Sequence, residues 1–420
     1  MDIVSEWSIV LILLLEVTAL TYIEYKSWHT IYTPLCALML PYVVVLLITI
    51  AIAGQFGFTT FNYNSIWIWI VGLPLFALPS YAFAAILHRH RLPVNAPLKE
   101  DSKPLPTALV VVAVLVSLML LYRLYSTLSV KTLLFGTDDF ADQFSGHGFW
   151  AHLRTLLIPI LIIALFQVRK KQYWLWTLIL LMLAIQFVNM VKGTIVIPIM
   201  AAILFRLYAG RMHLNLTLIL SVLGGGLLVF FLIYMVIPIM GNGGMVDMDL
   251  VEFVTKHFVH YFTSGTFGWS FDLDQGVPDR NGFSYILAPF VNIYNTLSGQ
   301  EVILPVNHFY WNVGDTVTTY TNVRTFFGTL YIYSDFLQFI TYTLILSTFI
   351  YTWKVIAMLK QSIYLYVILF YYCGLLAMGW FEFYFFHLDT IEIPLITIFY
   401  MWVSKWSLDP EIRGKEVTIG

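Results

Sequence analysis

Eleven runs of apolar residues, each close to the length that crosses a bilayer, constrain this chain more than any other feature. A helix of about 20 apolar residues spans the hydrocarbon core of a membrane. Only 11% of the residues are charged, against about 25% in soluble domains. The pattern predicts an all-α polytopic membrane protein with spans near 7–25, 31–53, 65–88, 105–127, 150–167, 174–190, 193–208, 215–239, 329–352, 363–382 and 386–404.

Basic residues in the short loops indicate the orientation of these spans. The loop 88–104 holds four Lys or Arg residues, and the loop 167–172 holds three in a row. Because such loops stay in the cytoplasm, we expect the N-terminus outside and the C-terminus inside. The first residues are acidic, unlike those of a secretory signal, so we expect the first span to be retained.

One long hydrophilic segment, 241–327, interrupts the spans and lies outside in this topology. It contains eight acidic and three basic residues. Its many aromatic residues favour a folded segment over a disordered one, and we expect short helices lying against the membrane face. The predicted organisation is eight spans, an extracytoplasmic subdomain, three further spans and a cytoplasmic tail, at 1–240, 241–328, 329–404 and 405–420.

Several classes of function are disfavoured by the sequence. The net charge is −2, without the clustered basic face that a nucleic-acid partner requires. Walker, dinucleotide-binding, HExxH and GxSxG motifs do not occur. Cys36 and Cys373 fall in apolar runs, which favours neither a disulfide framework nor a metal site. We therefore expect no metal and no cofactor, and chemistry on the outer face would need a substrate that is already activated.

Four cations near the predicted outer ends of spans require an explanation. Lys192 lies in a tight turn between two spans, and Arg280 follows Asp279 in a turn rich in Gly, Pro and Asn. Arg324 lies in an aromatic stretch, and Arg154 lies near the outer end of a span. Such cations can bind phosphate groups. Lys192 could equally be a snorkelling anchor, and Arg280 could pair with Asp279 to stabilise the turn.

The segment 307–328 is the most site-like part of the sequence. It brings His308, Asp315 and Arg324 into one stretch bracketed by aromatic residues. Histidine accepts a proton near neutral pH, although a packed aromatic loop with a buried histidine would look the same. Three acids near the last outer turn either support the structure or line a proton or substrate path; they are Glu382, Asp389 and Glu392.

Five segments resemble the bacterial oligosaccharide repeat-unit polymerases, the Wzy-type O-antigen and capsule polymerases. They are RLYS, LRTLLIPILI, VKGTIVIPI, GFSYILAPF and TNVRTFFGTLYIYSDF, at 123–126, 153–162, 191–199, 282–290 and 321–336. The chain departs from the family pattern at Leu337, where many members have Gly. It also has Lys192 where a bidentate arginine would be expected, and a lysine is only a point charge.

The resemblance implies a metal-independent membrane glycosyltransferase of the GT-C type in the bacterial cytoplasmic membrane. Its substrates would be undecaprenyl-diphosphate-linked glycans, joined at the outer face of the bilayer, with a chain-length regulator and a flippase as partners in the pathway. Cations would stabilise the departing diphosphate, and the candidates are Lys192, Arg280 and Arg324, with Arg154 in reserve. His308 would take the proton from the acceptor hydroxyl, with Asp315 or Asp335 as alternatives. Sugar faces would stack on Trp269, Tyr310 and Trp311.

Two other functions fit the same sequence. An O-antigen ligase or another lipid-linked sugar transferase would share the outer segment and its cations. A transporter for a polysaccharide or a lipid would favour charges deep within spans and internal repeats. Most of the charges singled out above lie at the predicted outer rim, which favours surface chemistry.

Overall fold

Most residues of the apolar runs are helical, as predicted, within the part of the chain that the structure describes. The computed structural model describes residues 3–52, 55–95, 98, 104–127, 148–188, 193–221, 224–228, 231, 248–276, 282–303, 310–314 and 319–407. Within these residues, six helices are long and apolar enough to cross a membrane. They are Glu6–Trp28, Pro34–Ile52, Tyr63–Arg89, Thr107–Thr127, Gly148–Gln167 and Phe336–Lys360.

Shorter apolar helices accompany the six spans. They are Tyr173–Phe187, Gly193–Tyr208, Leu216–Leu228 and Ile363–Ala377. The architecture is therefore that of an all-α membrane protein whose chain crosses the bilayer several times, while the predicted number of eleven spans stays a prediction.

The helices are numbered in chain order, and the partly described stretch Leu216–Leu228 is left without a number. They are α1 Ile3–Trp28, α2 Pro34–Ile52, α3 Trp67–Arg89, α4 Thr107–Thr127, α5 Gly148–Thr155, α6 Leu157–Gln167, α7 Tyr173–Val188, α8 Gly193–Tyr208, α9 Met248–Gln275, α10 Phe283–Ile286, α11 Ala288–Ser298, α12 Phe326–Ile332, α13 Phe336–Lys360, α14 Ile363–Ala377 and α15 Asp389–Ser407. Two short strands, β1 Trp311–Asn312 and β2 Tyr320–Thr321, pair antiparallel.

These elements form two compact units. The first comprises Met1–Ala96, His213–Leu359 and Tyr372–Thr390, and the second comprises Pro97–Met212, Lys360–Tyr371 and Ile391–Gly420. In the first unit α1 packs on α3, α9 on α2, and α12 on α3. In the second unit α6 packs on α7 and α8, and α4 packs on α7.

Two predictions about helix lengths are wrong. The predicted outer segment contains α9, a single helix of 28 residues, rather than short helices alone. The predicted span 329–352 is two helices, because α12 ends at Ile332 and α13 begins at Phe336. Tyr333, Ser334 and Asp335 separate them, and the hydroxyl of Ser334 donates back to the carbonyl of Leu330. Hydropathy alone does not register such a break.

Helices α1 and α3 run parallel. Trp7 contacts Tyr63 near their starts, and Glu24 contacts Ser80 near their ends, so the same offset of 56 residues recurs along both helices. Parallel packing is what alternate spans of a membrane protein must show when one span, here α2, lies between them in the chain. The ends of α1 and α3 therefore lie on the same side.

A buried polar cluster lies where α1, α3 and α13 meet. The side chains of Ser80 and Tyr351 both donate to Glu24 Oε1, and Trp28 Nε1 donates to the hydroxyl of Ser80 at 2.8 Å. Lys354 Nζ lies 4.3 Å from the centre of the Trp28 ring. Glu24 is 0% and Lys354 1% exposed. Ionisable groups inside spans are rare, because burying charge costs free energy.

Candidate functional site

One face of helix α9 carries two glycines, which have no side chain, and this face packs against other parts of the first unit. Gly265, Gly268 and Asp272 are spaced three and four residues apart, which places them on the same side of a helix. A Cβ atom on Gly268 would lie 2.5 Å from the carbonyl oxygen of Val323, and one on Gly265 would collide with the carbonyl of Phe381. The two glycines therefore let two other backbone segments approach α9 closely.

Asp272 and Arg324 form an ion pair at this face. Arg324 Nε donates to Asp272 Oδ2 at 2.5 Å, and Nη2 donates to Oδ1 at 2.9 Å. Arg324 Nη1 donates to the carbonyl of Val323 at 3.0 Å, and Trp311 Nε1 donates to Asp272 Oδ1 at 2.7 Å. Burial raises the pKa of Asp272, and the bonds from Arg324 and Trp311 oppose that rise. We call Asp272, Trp311 and Arg324 the clamp.

The clamp fastens the β1–β2 hairpin and the segment before α12 to α9, and other hydrogen bonds add the loop before α3. Thr59 N donates to the carbonyl of Val313 at 2.9 Å, which adds the loop before α3 to the β1–β2 hairpin. Asn62 donates through its backbone N to Ser270 Oγ at 2.6 Å and through its side chain to Asp274 Oδ1 at 2.7 Å. These hydrogen bonds join α9, the hairpin and the loop before α3 near the N-terminal end of α3.

Arg324 faces this ion pair rather than solvent. Its side chain is 0% exposed, and both carboxylate oxygens of Asp272 accept from it in a bidentate pair, the geometry that Arg prefers. Direct contact with a diphosphate would require the pair to open. The arrangement favours a role in positioning the hairpin, and direct binding of a diphosphate by Arg324 stays a prediction.

The three predicted sugar-binding aromatic residues differ in their exposure to solvent. Trp269 is buried, donates from Nε1 to the carbonyl of Ser65 at 2.9 Å and packs against Gly328, so it has a packing role. Trp311 is partly exposed and holds the clamp. Tyr310 is 61% exposed and stacks on Tyr320 with 5.3 Å between the ring centroids. Tyr310 is therefore the most exposed of the three predicted sugar-binding residues.

Asp335 begins α13 through reciprocal hydrogen bonds with Gln338. Gln338 N donates to Asp335 Oδ1 at 2.8 Å, and Asp335 N donates to Gln338 Oε1 at 3.0 Å. This is a capping box, which satisfies backbone donors at a helix start. A capping role accounts for the carboxylate, and its use as a base stays a prediction.

Arg154 belongs to the second unit. It lies in α5, is buried, and its backbone carbonyl accepts from Gln186 Nε2 at 3.4 Å. The side chain is therefore not exposed in the way that its predicted role in binding a diphosphate would require. The remaining predicted residues lie outside the described residues; they are Lys192, Arg280, His308 and Asp315.

The loop 378–388, between α14 and α15, is held on two sides. Phe326 N, at the start of α12, donates to the carbonyl of Gly379 at 2.6 Å. On the other side the backbone at Phe381 lies against Gly265 of α9. The loop is therefore fixed to the helix that follows Arg324 and to the glycine face that carries Asp272.

Glu382 lies in this loop among tyrosines. Tyr285 stacks on Tyr333 with 4.5 Å between their ring centroids. Burial is the main cause that raises the pKa of Tyr285 and of Tyr384, and the charge of Glu382 adds to both shifts. Burial also raises the pKa of Glu382 to about 8, although part of the residue stays exposed.

The same loop carries a histidine. His387 packs on Tyr384 and Phe386, with ring centroids 5.8 and 4.6 Å apart. Burial lowers the pKa of His387, and Asp389 opposes that shift. Within the described residues no three His, Cys, Asp or Glu side chains are grouped so that they could hold a metal ion.

Asp272 was not singled out from the sequence, and the role of Glu382 was left open between structural support and a proton or substrate path. Asp272 could have been found from its spacing, because an acid on the same face as two glycines can reach a neighbouring backbone. Glu382 had a weaker signal, an acid among aromatic residues after an apolar run. Its surroundings depend on Tyr285, almost 100 residues earlier in the chain.

A comparison with protein families places this chain. The model of a family of unknown function, DUF6337, matches residues 57–409, most of the chain. The chain belongs to the DUF6337 family. The DUF6337 match begins after α2 and includes Asp272, Arg324 and Glu382, whereas Glu24 precedes it. No curated protein and no solved structure matches the chain.

Proposed function

We propose that this DUF6337 protein is a membrane glycosyltransferase that joins lipid-diphosphate-linked oligosaccharides, as its resemblance to Wzy-type polymerases suggests. The observation that carries the proposal is the partly exposed Glu382, which lies in a loop fixed to α9 and α12 and whose charge acts on Tyr285 and Tyr384. Aromatic rings offer faces for sugars, and a carboxyl group whose pKa lies near the working pH is suited to proton transfer.

In this reaction an acceptor hydroxyl attacks the anomeric carbon of the growing chain. The bond from that carbon to the lipid diphosphate breaks, and the hydroxyl proton passes to a base. Glu382 joins His308 as a candidate for that base. The leaving diphosphate gains negative charge, which cations can stabilise without a metal. Lys192 and Arg280 are the candidates for that role.

Arg324 is a positioning residue in this proposal. Its guanidinium acts through Asp272 and Trp311 to hold the hairpin, and α12 continues from it to the contact with Gly379. Loss of Arg324 would therefore disturb both the hairpin and the loop that carries Glu382.

The proposal is tested with Glu382→Gln in cells whose chromosomal copy is deleted. We expect wild type to restore long polysaccharide chains on a gel, and Glu382→Gln to leave only single repeat units, a loss of at least tenfold in polymer. Asp389→Asn, which removes one charge beside the same loop, is the matched control and should restore polymer. Long chains from Glu382→Gln would refute the role of Glu382 as base.

The pH dependence gives a second readout of the same role. Since the base must be deprotonated, the rate with purified enzyme and undecaprenyl-diphosphate-linked oligosaccharide should rise with pH up to about 8 and then level off, following the pKa of Glu382. A rate that levels off near pH 6.5 would instead favour His308.

A transporter is the second candidate, favoured by the buried pair Glu24 and Lys354. Ionisable residues inside spans often mark ion or proton paths. Proteoliposomes distinguish the two functions. Proton flux that Glu24→Gln abolishes, without polymer formation, would favour transport, whereas polymer formation without flux would favour the transferase.

A further inference from the structure

Helix α11 exposes its large apolar side chains. Leu297 is 85%, Tyr294 63% and Phe290 61% exposed, and Ile293 is exposed as well. Counted from Phe290, the other three follow at three, four and seven residues, so the four side chains form one stripe about 100° wide along the helix. We call these four residues the stripe. In a helix on a water-soluble domain such a stripe faces the core, so the pattern of α11 is inverted.

The two asparagines of α11 bind the chain that follows the helix. Asn292 Nδ2 donates to the carbonyl of Ile303 at 2.8 Å, and Ile303 N donates to Asn292 Oδ1 at 2.7 Å. Asn295 Nδ2 donates to the carbonyl of Glu301 at 2.7 Å. The chain reverses at Gly299, whose φ of 70° suits a residue without a side chain. The polar side of α11 is therefore used within the protein, and the apolar side is turned outward.

A span of the first unit places α11 near a membrane boundary. Only Leu287 separates α10 from α11. Phe283 of α10 packs on Tyr342 of α13, with 6.0 Å between the ring centroids. Tyr342 lies two turns into α13, which is one of the six helices long and apolar enough to cross a membrane. Helix α11 therefore starts beside the end of a span, and Phe336 and Leu337 in the first turn of that span are exposed too.

The length and composition of α11 indicate what covers the stripe. The segment 283–300 contains no Asp, Glu, Lys or Arg. The 11 residues of α11 extend about 16 Å, too short to cross about 30 Å of hydrocarbon. A stable complex between proteins buries about 800 Å² on each partner, more than four side chains of a three-turn helix provide. A bilayer surface already surrounds the end of the neighbouring span, and tyrosine is enriched at that level.

We propose that α11 is an interfacial helix that binds the surface of the lipid bilayer, with the stripe at the boundary between headgroups and acyl chains. Helices of this kind insert their apolar face about 5–10 Å into that boundary. The sequence predicted helices against the membrane face in 241–327, and the stripe specifies which helix binds and with which side. The proposal does not depend on the function proposed above.

An interfacial α11 also affects the position of the loop 378–388. Tyr285 of α10 packs on Phe386 in that loop, with 5.4 Å between the ring centroids. Insertion of α11 therefore keeps the loop that carries Glu382 close to the bilayer surface.

The test measures the depth of a fluorescent label on the purified full-length protein in phosphatidylcholine vesicles. Leu297→Cys is labelled with a nitrobenzoxadiazole maleimide, and wild type, whose Cys36 and Cys373 are buried, gives the background. Thr296→Cys is the matched control, because Thr296 is exposed but lies about 100° around the helix from Leu297. Lipids with a nitroxide on the acyl chain should quench the label at Leu297 about threefold more strongly than the label at Thr296. Iodide in the water should show the reverse order.

A second variant, Tyr294→Cys, keeps the test decisive if Leu297→Cys does not fold, because it labels the same stripe and should behave in the same way. Strong quenching of the stripe label by iodide, without quenching by the nitroxide lipid, would overturn the proposal, since the stripe would then face water. Protection from both quenchers would overturn it as well, because the stripe would then be covered by protein, as in a contact with a second copy. Equal lipid quenching of the stripe label and the Thr296 label would show that α11 is immersed all round rather than interfacial.

Discussion

Two buried pairs of opposite charge in the first unit are built in different ways. In the clamp, Arg324 and Asp272 touch through two hydrogen bonds, and Trp311 adds a third donor. Glu24 and Lys354, both among the described residues, form no such ion pair within 4.0 Å. Hydroxyl groups and the Trp28 ring lie around them instead.

The difference indicates which pair can change and which cannot. Breaking a buried ion pair is costly because the remaining charge is left without a partner. The clamp is a closed pair of this kind and fixes one geometry. The Glu24 cluster has no direct ion pair to break, so neutralising one of its two charges should cost less free energy. Substitutions in the two pairs and their neighbours test this contrast by their effects on stability.

Removing one partner of the clamp should have the largest effect. Asp272→Ala leaves Arg324 buried without a counter-charge, and we expect a loss of about 3–5 kcal/mol in the free energy of unfolding. Thermal unfolding in detergent micelles, followed by tryptophan fluorescence, measures it.

The double variant Asp272→Leu/Arg324→Met is the control for that loss. Replacing both charges by apolar groups is often close to neutral, so it should recover most of the stability. If Asp272→Ala costs less than about 1 kcal/mol, the clamp is not the closed pair described above. A stable double variant that makes no polymer would show that Arg324 is needed for function and not only for folding.

The close approach of Arg324 to α9 should also be sensitive to a single methyl group. In Gly268→Ala the new Cβ would meet the carbonyl of Val323 and the guanidinium of Arg324, and overpacking costs about 1–3 kcal/mol. Gly225→Ala is the control, because open space surrounds that position. Equal stability of the two variants in the same unfolding experiment would contradict the close approach.

Neutralising Lys354 should have a smaller effect than neutralising Arg324. Lys354→Met removes a cation that does not touch Glu24 directly, and polar contacts inside a membrane contribute about 1–2 kcal/mol or less. The free energy of unfolding of Lys354→Met and Arg324→Met, measured side by side, checks this order. A greater loss for Lys354→Met would reverse the comparison between the two pairs.

The smallest loss of stability is expected at an exposed acid, Asp335. Asp335→Ala removes the capping box with Gln338 and should cost about 1 kcal/mol, whereas Asp335→Asn can still cap and should cost little. Polymer formation by Asp335→Asn would separate capping from catalysis. Loss of polymer at unchanged stability would restore Asp335 as a candidate base.

The sequence predicted the positions of helices better than the contacts between distant parts of the chain. Helices α2, α3 and α4 lie within a few residues of the predicted spans, because each depends on a continuous apolar run. Arg324 was recognised as unusual, but its partner Asp272 lies 52 residues away, a distance that no local pattern bridges. Only the packing of α9 against the strand before α12 decides whether that arginine faces solvent.

Glu24, unlike Arg324, was not recognised as unusual from the sequence. In the run YIEYKSW, at 22–28, aromatic residues are typical of the membrane surface, so an acid among them attracts no attention. In the structure Glu24 is buried against Ser80 and Tyr351. The contact with Ser80 follows from parallel packing of α1 on α3, and helix packing of that kind is not encoded in either run alone.

The burial of both native thiols makes the orientation of the chain directly measurable. Cys36 is 2% and Cys373 1% exposed, so a membrane-impermeant maleimide should leave the native protein unlabelled. A cysteine introduced in place of Tyr310 would then report on which side of the membrane the hairpin lies, and one in place of Lys170 would report the same for the loop between α6 and α7. Labelling of intact cells against lysed cells would thus map the sidedness of the chain without first removing either native cysteine.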